Sequence, residues 1–305
     1  MIATRARRRL EDLLGDRIRF DVPMSRHTSL CVGGPADALA TPAGRDELAE
    51  LLAACASLGI PHRVLGGGFN TLVRDEGLDG VVIRLQHFGR LEARPGAMLR
   101  AEAGVSHNRV AKFCVANGFA GLEFGAGIPG TVGGWLAMNA GIPAREVADT
   151  VREVEVMSPT GAHLRRIPRA SLRFRYRSLT GLAPGSVFLS GLFAVRLDEP
   201  ESVRKEIERH LLRRAETQPL HAPSCGSVFK NPPGAFAGRL IEEAGLKGSR
   251  IGGAEISKIH ANFIVNRGGA TASDVLGLIE RAREAVSRRT GIQLETEVAI
   301  VGRTR

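Results

Sequence analysis

The chain has few aromatic residues and nothing in its sequence that would staple or anchor it. Aromatics make up 5% of its 305 residues, with a single tryptophan and a single tyrosine. No run approaches the roughly 18 consecutive apolar residues of a membrane span, so no transmembrane helix is expected. The start, MIATRARRRLEDLLGD, is basic but passes into acidic residues without an apolar stretch, unlike a secretory signal. Cys31, Cys55, Cys114 and Cys225 are far apart and form no Cys-x-x-Cys pair. Neither a zinc site nor a disulfide framework is expected, no metal ligand is assigned, and the thiols read as small buried apolar groups. A cytoplasmic location is the resulting expectation. Internal repeats and low-complexity tracts are also missing.

Several catalytic signatures are absent too. Cys225-Gly226-Ser227-Val228-Phe229 lacks the second glycine of a Gly-x-Ser-x-Gly elbow, and no histidine stands at a spacing that marks a base for Ser227. There is no Walker A loop and no Gly-x-Gly-x-x-Gly opening a helix, which argues against a Rossmann dinucleotide site.

Positive charge is plentiful. The net charge is +10, and arginine outnumbers lysine. An anionic ligand is expected, but nucleic-acid binders usually cluster their charge on a recognisable motif. The one dense cluster, Arg5 with Arg7-Arg8-Arg9, reads as the solvated face of a first helix. Anionic small molecules are therefore the expected partners, not nucleic acid.

Helical and extended patterns alternate. Thr41-Pro42 followed by Leu48, Leu51, Leu52, Cys55 and Leu58, then Gly59, predicts a helix capped by Thr41 and ended by Gly59. Strands are predicted at 63–65 and 81–85, and a helix over 106–118 with Val110, Phe113 and Cys114 inward. Residues 151–197 read as β-rich, with 151–156 alternating and 187–197 extended. A charged helix follows at 201–216. A helix over 271–289 carries a Thr271–Asp274 cap, with Val275, Ile279, Ala282 and Val286 inward and Gly291 as its stop. Alternation over 292–300 puts Glu295 and Glu297 on the face opposite Ile292, Leu294 and Val298. A chain this long exceeds one core, and the pattern divides into residues 1–80, 81–200 and 201–305.

Two glycine-rich segments stand out: Leu65-Gly66-Gly67-Gly68-Phe69-Asn70-Thr71-Leu72, and Gly125-Ala126-Gly127-Ile128-Pro129-Gly130-Thr131-Val132-Gly133-Gly134 extending to Met138-Asn139-Ala140-Gly141. A lone glycine triplet is most simply a tight turn. Glycines also let backbone N–H groups approach a phosphate closely, and the second segment is too long and too rich in small residues for one turn. It suits close backbone contact along an extended ligand.

These segments, together with His27–Gly34, Phe174-Arg175-Tyr176-Arg177, Pro223–Pro232, Gly245–Gly248, Gly252–Ala254 and Leu294–Val298, resemble the UDP-N-acetylmuramate dehydrogenase family (UDP-N-acetylenolpyruvoylglucosamine reductases) over nearly the whole chain. The resemblance implies an α+β fold: a two-part FAD-binding region of the vanillyl-alcohol-oxidase (PCMH) type and a C-terminal α/β substrate-binding domain. It implies non-covalent FAD, NADPH as reductant and UDP-N-acetylglucosamine enolpyruvate as substrate. Hydride passes from NADPH through the flavin to the terminal carbon of the enolpyruvyl ether, and the resulting enolate takes a proton on the adjacent carbon. By resemblance Ser227 is the proton donor, Arg177 pairs with the carboxylate charge and Glu297 is the third catalytic residue. A serine hydroxyl is a weak acid, but it can quench a strongly basic carbanion held within hydrogen-bond reach. Leu65 through Asn70, Gly127 through Thr131, Gly133, Gly134, Asn139 and Gly141 are expected at the flavin; Tyr176, Lys230, Asn231 and Lys247 are expected at the substrate or NADPH. A monomer is expected. The nearest rival is another flavin oxidase or dehydrogenase of the same fold, disfavoured because alcohol oxidation needs no carbanion proton donor.

The chain departs from the family pattern at three places. Phe69 stands where a serine is usual, removing one hydroxyl from the flavin diphosphate site. Ser178-Leu179 follows Arg177 where any residue and then serine is common, and Ala299 replaces a frequent basic residue. Tyr176 is the only tyrosine and the Arg177–Ser227 interval is short, so the chain is expected in the group that lacks a mobile tyrosine-bearing loop.

Overall fold

The computed structural model describes residues 1–304 and divides the chain into two units. The first comprises residues 1–20, 38–67 and 80–213; the second comprises 21–37, 68–79 and 214–305. Neither is continuous in sequence, and the chain changes unit inside the helix Pro200–Thr217. Among the described residues no helix is long and apolar enough to cross a membrane.

The first unit has two cores. One centres on a five-stranded antiparallel sheet in the order Leu164–Pro168, Val151–Met157, Val187–Ala194, Met98–Glu102 and Leu91–Arg94. The helices His107–Ala116 and Val132–Met138 supply Val110, Cys114, Trp135 and Leu136 to it. The other gathers Leu10 and Leu14 of the helix Thr4–Leu14 and Leu48, Leu51, Leu52 and Cys55 of the helix Arg45–Leu58 around Val81 and Ile83. The expected apolar stripe of the 45–58 helix is buried as the sequence implied, with Gly59 in the left-handed region at its end. Its start differs: the N-cap is Gly44, and Thr41 instead uses its N–H to bond the Arg17 carbonyl at 2.8 Å. Thr41 and Pro42 belong to the connection that precedes the helix.

The second unit is a four-stranded antiparallel sheet in the order Ser224–Ser227, Phe263–Asn266, Ala254–Ile256 and Arg250–Ile251, covered by the helix Ala272–Thr290. That helix has the expected Thr271–Asp274 capping box, and Gly291 ends it in the left-handed region. Asp75 adds a second anchor by accepting from the Ala272 and Ser273 N–H groups, both at 2.8 Å. A negative charge there also favours the helix dipole. Residues 292–298 do not form the long strand that their alternation predicts. They contribute only a bridge between Thr296 and Phe229 before the short strand Ala299–Val301, which pairs in parallel with Thr71–Val73. Of the four thiols, Cys55, Cys114 and Cys225 are buried as expected, but Cys31 is exposed. It sits at φ 58°, where the turn keeps its side chain out of the core.

Candidate functional site

The first unit brings parts of the two glycine-rich segments together. A cavity of about 400 Å³ is lined by Leu65 and Gly66 from the first and by Thr131, Gly133 and Gly134 from the second. Two of them, Gly66 and Gly133, have no free room for a side chain. A Cβ on Gly66 would lie 2.8 Å from Thr131 Oγ1, and one on Gly133 would lie 3.0 Å from the Ala103 Cβ. Arg63 and Arg84 line the same cavity. Sequence reasoning missed both, although Arg63 stands three residues before the first glycine of the run. A glycine-walled trough with a hydroxyl and two guanidinium groups fits the diphosphate of a flavin dinucleotide.

Residues 125–130 of the second segment, Asn139 and Gly141 do not line this cavity. Gly127 and Gly130 have φ 76° and 129°, which L side chains rarely adopt. His107 Nδ1 donates to the Ile128 carbonyl, and its ring stacks on Trp135 with centroids 3.8 Å apart. Pro129 is exposed between them. Gly141 belongs to a small hairpin with Glu146, where a Cβ would meet the Arg145 carbonyl at 2.3 Å.

Asn139 is fully buried and in the left-handed region at φ 43°, closing the helix Val132–Met138. Its Oδ1 accepts from the Ala148 N–H at 3.0 Å and its Nδ2 donates to the Arg175 carbonyl at 3.1 Å. Arg175 begins the tight hairpin turn Tyr176-Arg177, since Arg175 pairs with Ser178 across it. Arg177 takes φ 54°, a conformation costing a non-glycine residue about 1–2 kcal/mol. Its guanidinium lies over the half-exposed Tyr176 ring, 4.9 Å from the centroid. Asn139 thus links the glycine-rich helix to the strand that presents Arg177.

The remaining residues belong to the second unit. Gly68 has φ 70°, and a Cβ there would meet the His27 carbonyl at 2.4 Å. The Ser29 hydroxyl bonds the carbonyls of Gly68 (3.0 Å) and Ser224 (2.7 Å), tying the end of the first glycine-rich segment to the strand that carries Ser227. Phe69 is 39% exposed, in line with a side chain that does not replace the missing serine by burying itself. Between Ser224 and Ser227 the register with Val265 and Phe263 shifts by one residue. Gly226 at φ 75° absorbs that bulge. Bulges re-aim the side chain that follows, here Ser227.

Glu297 is held beside the same strand. Its N–H donates to the Val228 carbonyl at 2.8 Å, and its own carbonyl accepts from Asn70 Nδ2 at 3.1 Å. Hydrogen bonds therefore bring Glu297 beside Val228, the residue after Ser227, and beside Asn70, 227 positions earlier in the chain. Cys225, two residues before Ser227, belongs to the core, and burial pushes its thiol up to about 12. It stays protonated and inert.

Three expected substrate contacts have protein partners. Lys230 Nζ is ion-paired with Glu295, and its N–H donates to the Glu295 carbonyl at 2.9 Å. Asn231 Oδ1 accepts from the Ala237 N–H at 3.0 Å, at the start of the helix Ala237–Glu243. Lys247 Nζ bonds Glu242 at 2.7 Å. His260, beside them, is held below the usual imidazole range by burial and then by the charge of Lys247. Among the described residues no cluster of three or more His, Cys, Asp or Glu side chains is arranged to hold a metal ion.

Two family models match the chain: an FAD binding domain over residues 36–166, and the C-terminal domain of UDP-N-acetylenolpyruvoylglucosamine reductase over residues 218–301. It is 45% identical over 296 residues to the UDP-N-acetylenolpyruvoylglucosamine reductase of Geotalea uraniireducens, covering 97% of this chain and 98% of that one. With the corresponding protein of Geobacter metallireducens the identity is 48% over 291 residues, covering 95% and 96%. The crystal structure of UDP-N-acetylenolpyruvylglucosamine reductase from Thermus caldophilus matches with a TM-score of 0.80 at 36% identity, covering 93% of this chain and 99% of that one. The expected fold, an α+β flavin-binding region followed by a distinct C-terminal domain, is thereby borne out.

Proposed function

The chain belongs to the UDP-N-acetylenolpyruvoylglucosamine reductase family, and on that premise we propose that it reduces UDP-N-acetylglucosamine enolpyruvate to UDP-N-acetylmuramate with NADPH and FAD, a step of peptidoglycan precursor synthesis in the cytoplasm. The observation that carries this reading is the Ser227–Val228–Glu297 cluster, in which a hydroxyl without a histidine relay and a carboxylate stand on backbone joined by a 2.8 Å hydrogen bond.

The trough of Leu65, Gly66, Thr131, Gly133 and Gly134 would hold FAD non-covalently, and the chemistry the cofactor would supply there is hydride for the enolpyruvyl carbon. Every other part of the chemistry falls to side chains. Ser227 gives its hydroxyl proton to the carbon next to the one reduced and recovers a proton from water, a transfer that general-acid positioning accelerates by about 10²–10⁴. Arg177 offers a planar fork to the substrate carboxylate, on which charge accumulates in the transition state. Glu297, carrying a proton at that stage, donates it as a hydrogen bond to the acidic end of the reacting group. Tyr176, Lys230, Asn231 and Lys247 bind substrate or NADPH; Lys230 and Lys247 exchange Glu295 and Glu242 for phosphate oxygens. Residues 1–80 and 81–200 serve the flavin and residues 201–305 the substrate, in a monomer that requires neither nucleic acid nor membrane.

The visible absorption spectrum tests this reading. A flavin band that NADPH bleaches and UDP-N-acetylglucosamine enolpyruvate restores anaerobically is the expected result. A band that is bleached but not restored overturns the substrate assignment, and a protein that stays colourless with added FAD overturns the whole reading.

A further inference from the structure

We propose that Asn262 is a positioning residue that holds Ser227 in register with Glu297. The inference rests on the roles given above to those two residues. Asn262 is 4% exposed and immediately precedes Phe263, the residue paired with Ser227 across the sheet. Its main-chain carbonyl accepts from the Val228 N–H at 2.8 Å. Its side chain then continues the ladder where the strand Ser224–Ser227 has ended. Oδ1 accepts from the Phe229 N–H at 2.9 Å, and Nδ2 donates to the Phe229 carbonyl at 2.8 Å. One amide therefore pairs with both polar groups of one residue, as a neighbouring strand would.

The consequence falls on the opposite edge of the same segment. With the Val228 N–H and both Phe229 groups committed to Asn262, the Val228 carbonyl is left for the Glu297 N–H at 2.8 Å, and Phe229 bridges to Thr296. Residues 228–229 become a two-residue spacer with Asn262 on one side and the Glu295–Val298 segment on the other. The spacing between the Ser227 hydroxyl and the Glu297 carboxylate is set through it. Only an amide can do this. A carboxylate would accept from Phe229 but face its carbonyl with no proton, and an aliphatic side chain would leave both groups buried and unmade. Asn262 is itself fixed, because its N–H donates to His260 Nδ1 at 3.2 Å, an imidazole that burial keeps neutral.

The test uses the FAD-loaded full chain and separates the two half-reactions by anaerobic stopped flow, with Asn262→Leu, Asn262→Asp and Ser227→Ala measured side by side. Both Asn262 variants are expected to be bleached by NADPH within twofold of the parent rate. Reoxidation by UDP-N-acetylglucosamine enolpyruvate should slow by about 10²-fold, the usual effect of misplacing a catalytic group by about an ångström, with substrate affinity changed less than threefold. A second readout responds to proton placement and not to fold. In D2O the parent should yield one diastereomer at the newly protonated carbon, and the Asn262 variants a mixture, because solvent competes with a displaced hydroxyl. Reoxidation within threefold of the parent and a single diastereomer from both Asn262 variants, beside a slow Ser227→Ala, overturns the inference and leaves the reading of the site standing. A Ser227→Ala protein that reoxidises at the parent rate overturns both. The near-isosteric Asn262→Asp keeps the test available should the leucine variant fail to fold.

Discussion

The two units hold their functional residues in different ways. In the first, the candidate flavin trough includes glycines that matter for what they lack: a Cβ on Gly66 would press on Thr131 and one on Gly133 on Ala103. In the second, the proposed chemistry rests on side chains of ordinary size, Ser227 and Glu297, on a segment shaped by a bulge at Gly226 and by hydrogen bonds from Asn70 and Asn262. Each unit nevertheless uses a buried asparagine as a brace. Asn139 ties a helix end to the Arg177 hairpin, and Asn262 ties the strand edge to the Ser227 segment. A dinucleotide is bound over its length, so a wall of small residues suffices. A single proton transfer needs one atom in one place.

The largest effect should come from breaking the second unit alone. Ser227→Ala removes the proton donor and should slow reoxidation by enolpyruvyl substrate about 10³–10⁴-fold, at the upper range for general-acid catalysis. NADPH bleaching should be unchanged, because hydride transfer from NADPH to the flavin needs no proton donor to carbon. A parallel loss in both half-reactions would erase the division of labour between units.

The reciprocal experiment breaks the first unit. Gly66→Val introduces a branched side chain whose Cβ stands 2.8 Å from Thr131 Oγ1 and whose methyls project into the cavity. Flavin content on purification should fall at least tenfold, roughly the 1.4 kcal/mol or more that a lost close contact costs. Circular dichroism should stay that of the parent. Full flavin occupancy in this variant would show that the trough is not where the dinucleotide lies.

How much of this was legible beforehand follows from the same contrast. Glycine-rich segments announce themselves in composition, so the trough residues Gly66, Thr131, Gly133 and Gly134 were readable. The amphipathic helix Ala272–Thr290 was readable too, since capping chemistry and periodicity agree there. Asn262 gave no signal, because one asparagine inside Ala261-Asn262-Phe263 looks like any other until a distant strand is placed against it. Arg177 in a left-handed turn was equally silent, since nothing local to Tyr176-Arg177-Ser178 demands φ 54°. The alternation at 292–300 misled in a definite way. Burial does alternate, with Leu294 and Val298 inside and Glu295 exposed, but the ladder bonds go to Phe229 and Thr71–Val73 in short pieces. Side-chain pattern reports which face is dry, not how far pairing extends.

The braces themselves can be compared through stability. Asn139→Ala deletes two buried hydrogen bonds and puts alanine at φ 43°, so urea unfolding should register a loss of about 2–4 kcal/mol. Asn139→Gly restores the backbone freedom but not the bonds and should recover about 1 kcal/mol of it. If the two variants are equally unstable, left-handed strain plays no part at this position.

The smallest effect concerns the buried carboxylates. In the first unit, burial is the largest influence on Glu155 and pushes its pKa up, but the Arg45 hydrogen bond at 2.7 Å, the Arg45 charge, the Ser190 hydroxyl and the Arg166 charge together outweigh it and the net direction is down. In the second unit the Arg267 hydrogen bond at 2.8 Å leads, burial opposes it and Arg250 adds to it, again holding Glu255 below its ordinary 4.5. A carboxylate with a depressed folded-state pKa stabilises the fold fully above its unfolded value and loses that contribution as pH falls through the folded value. Both contributions should therefore disappear only below about pH 4.5. The arginines around Glu255 are well exposed, 60% and 39%, and exposed pairs are worth about 0–1 kcal/mol each. Glu255→Gln should accordingly be slightly less stable than the parent at pH 7, and the two urea midpoints should converge as pH is lowered past 4.5, where the parent carboxyl becomes as neutral as the amide. A gap that stays constant from pH 7 down to about pH 2, well below the ordinary carboxylate range, would mean that Glu255 acts through packing and hydrogen bonds alone, and that its charge does nothing for the second unit.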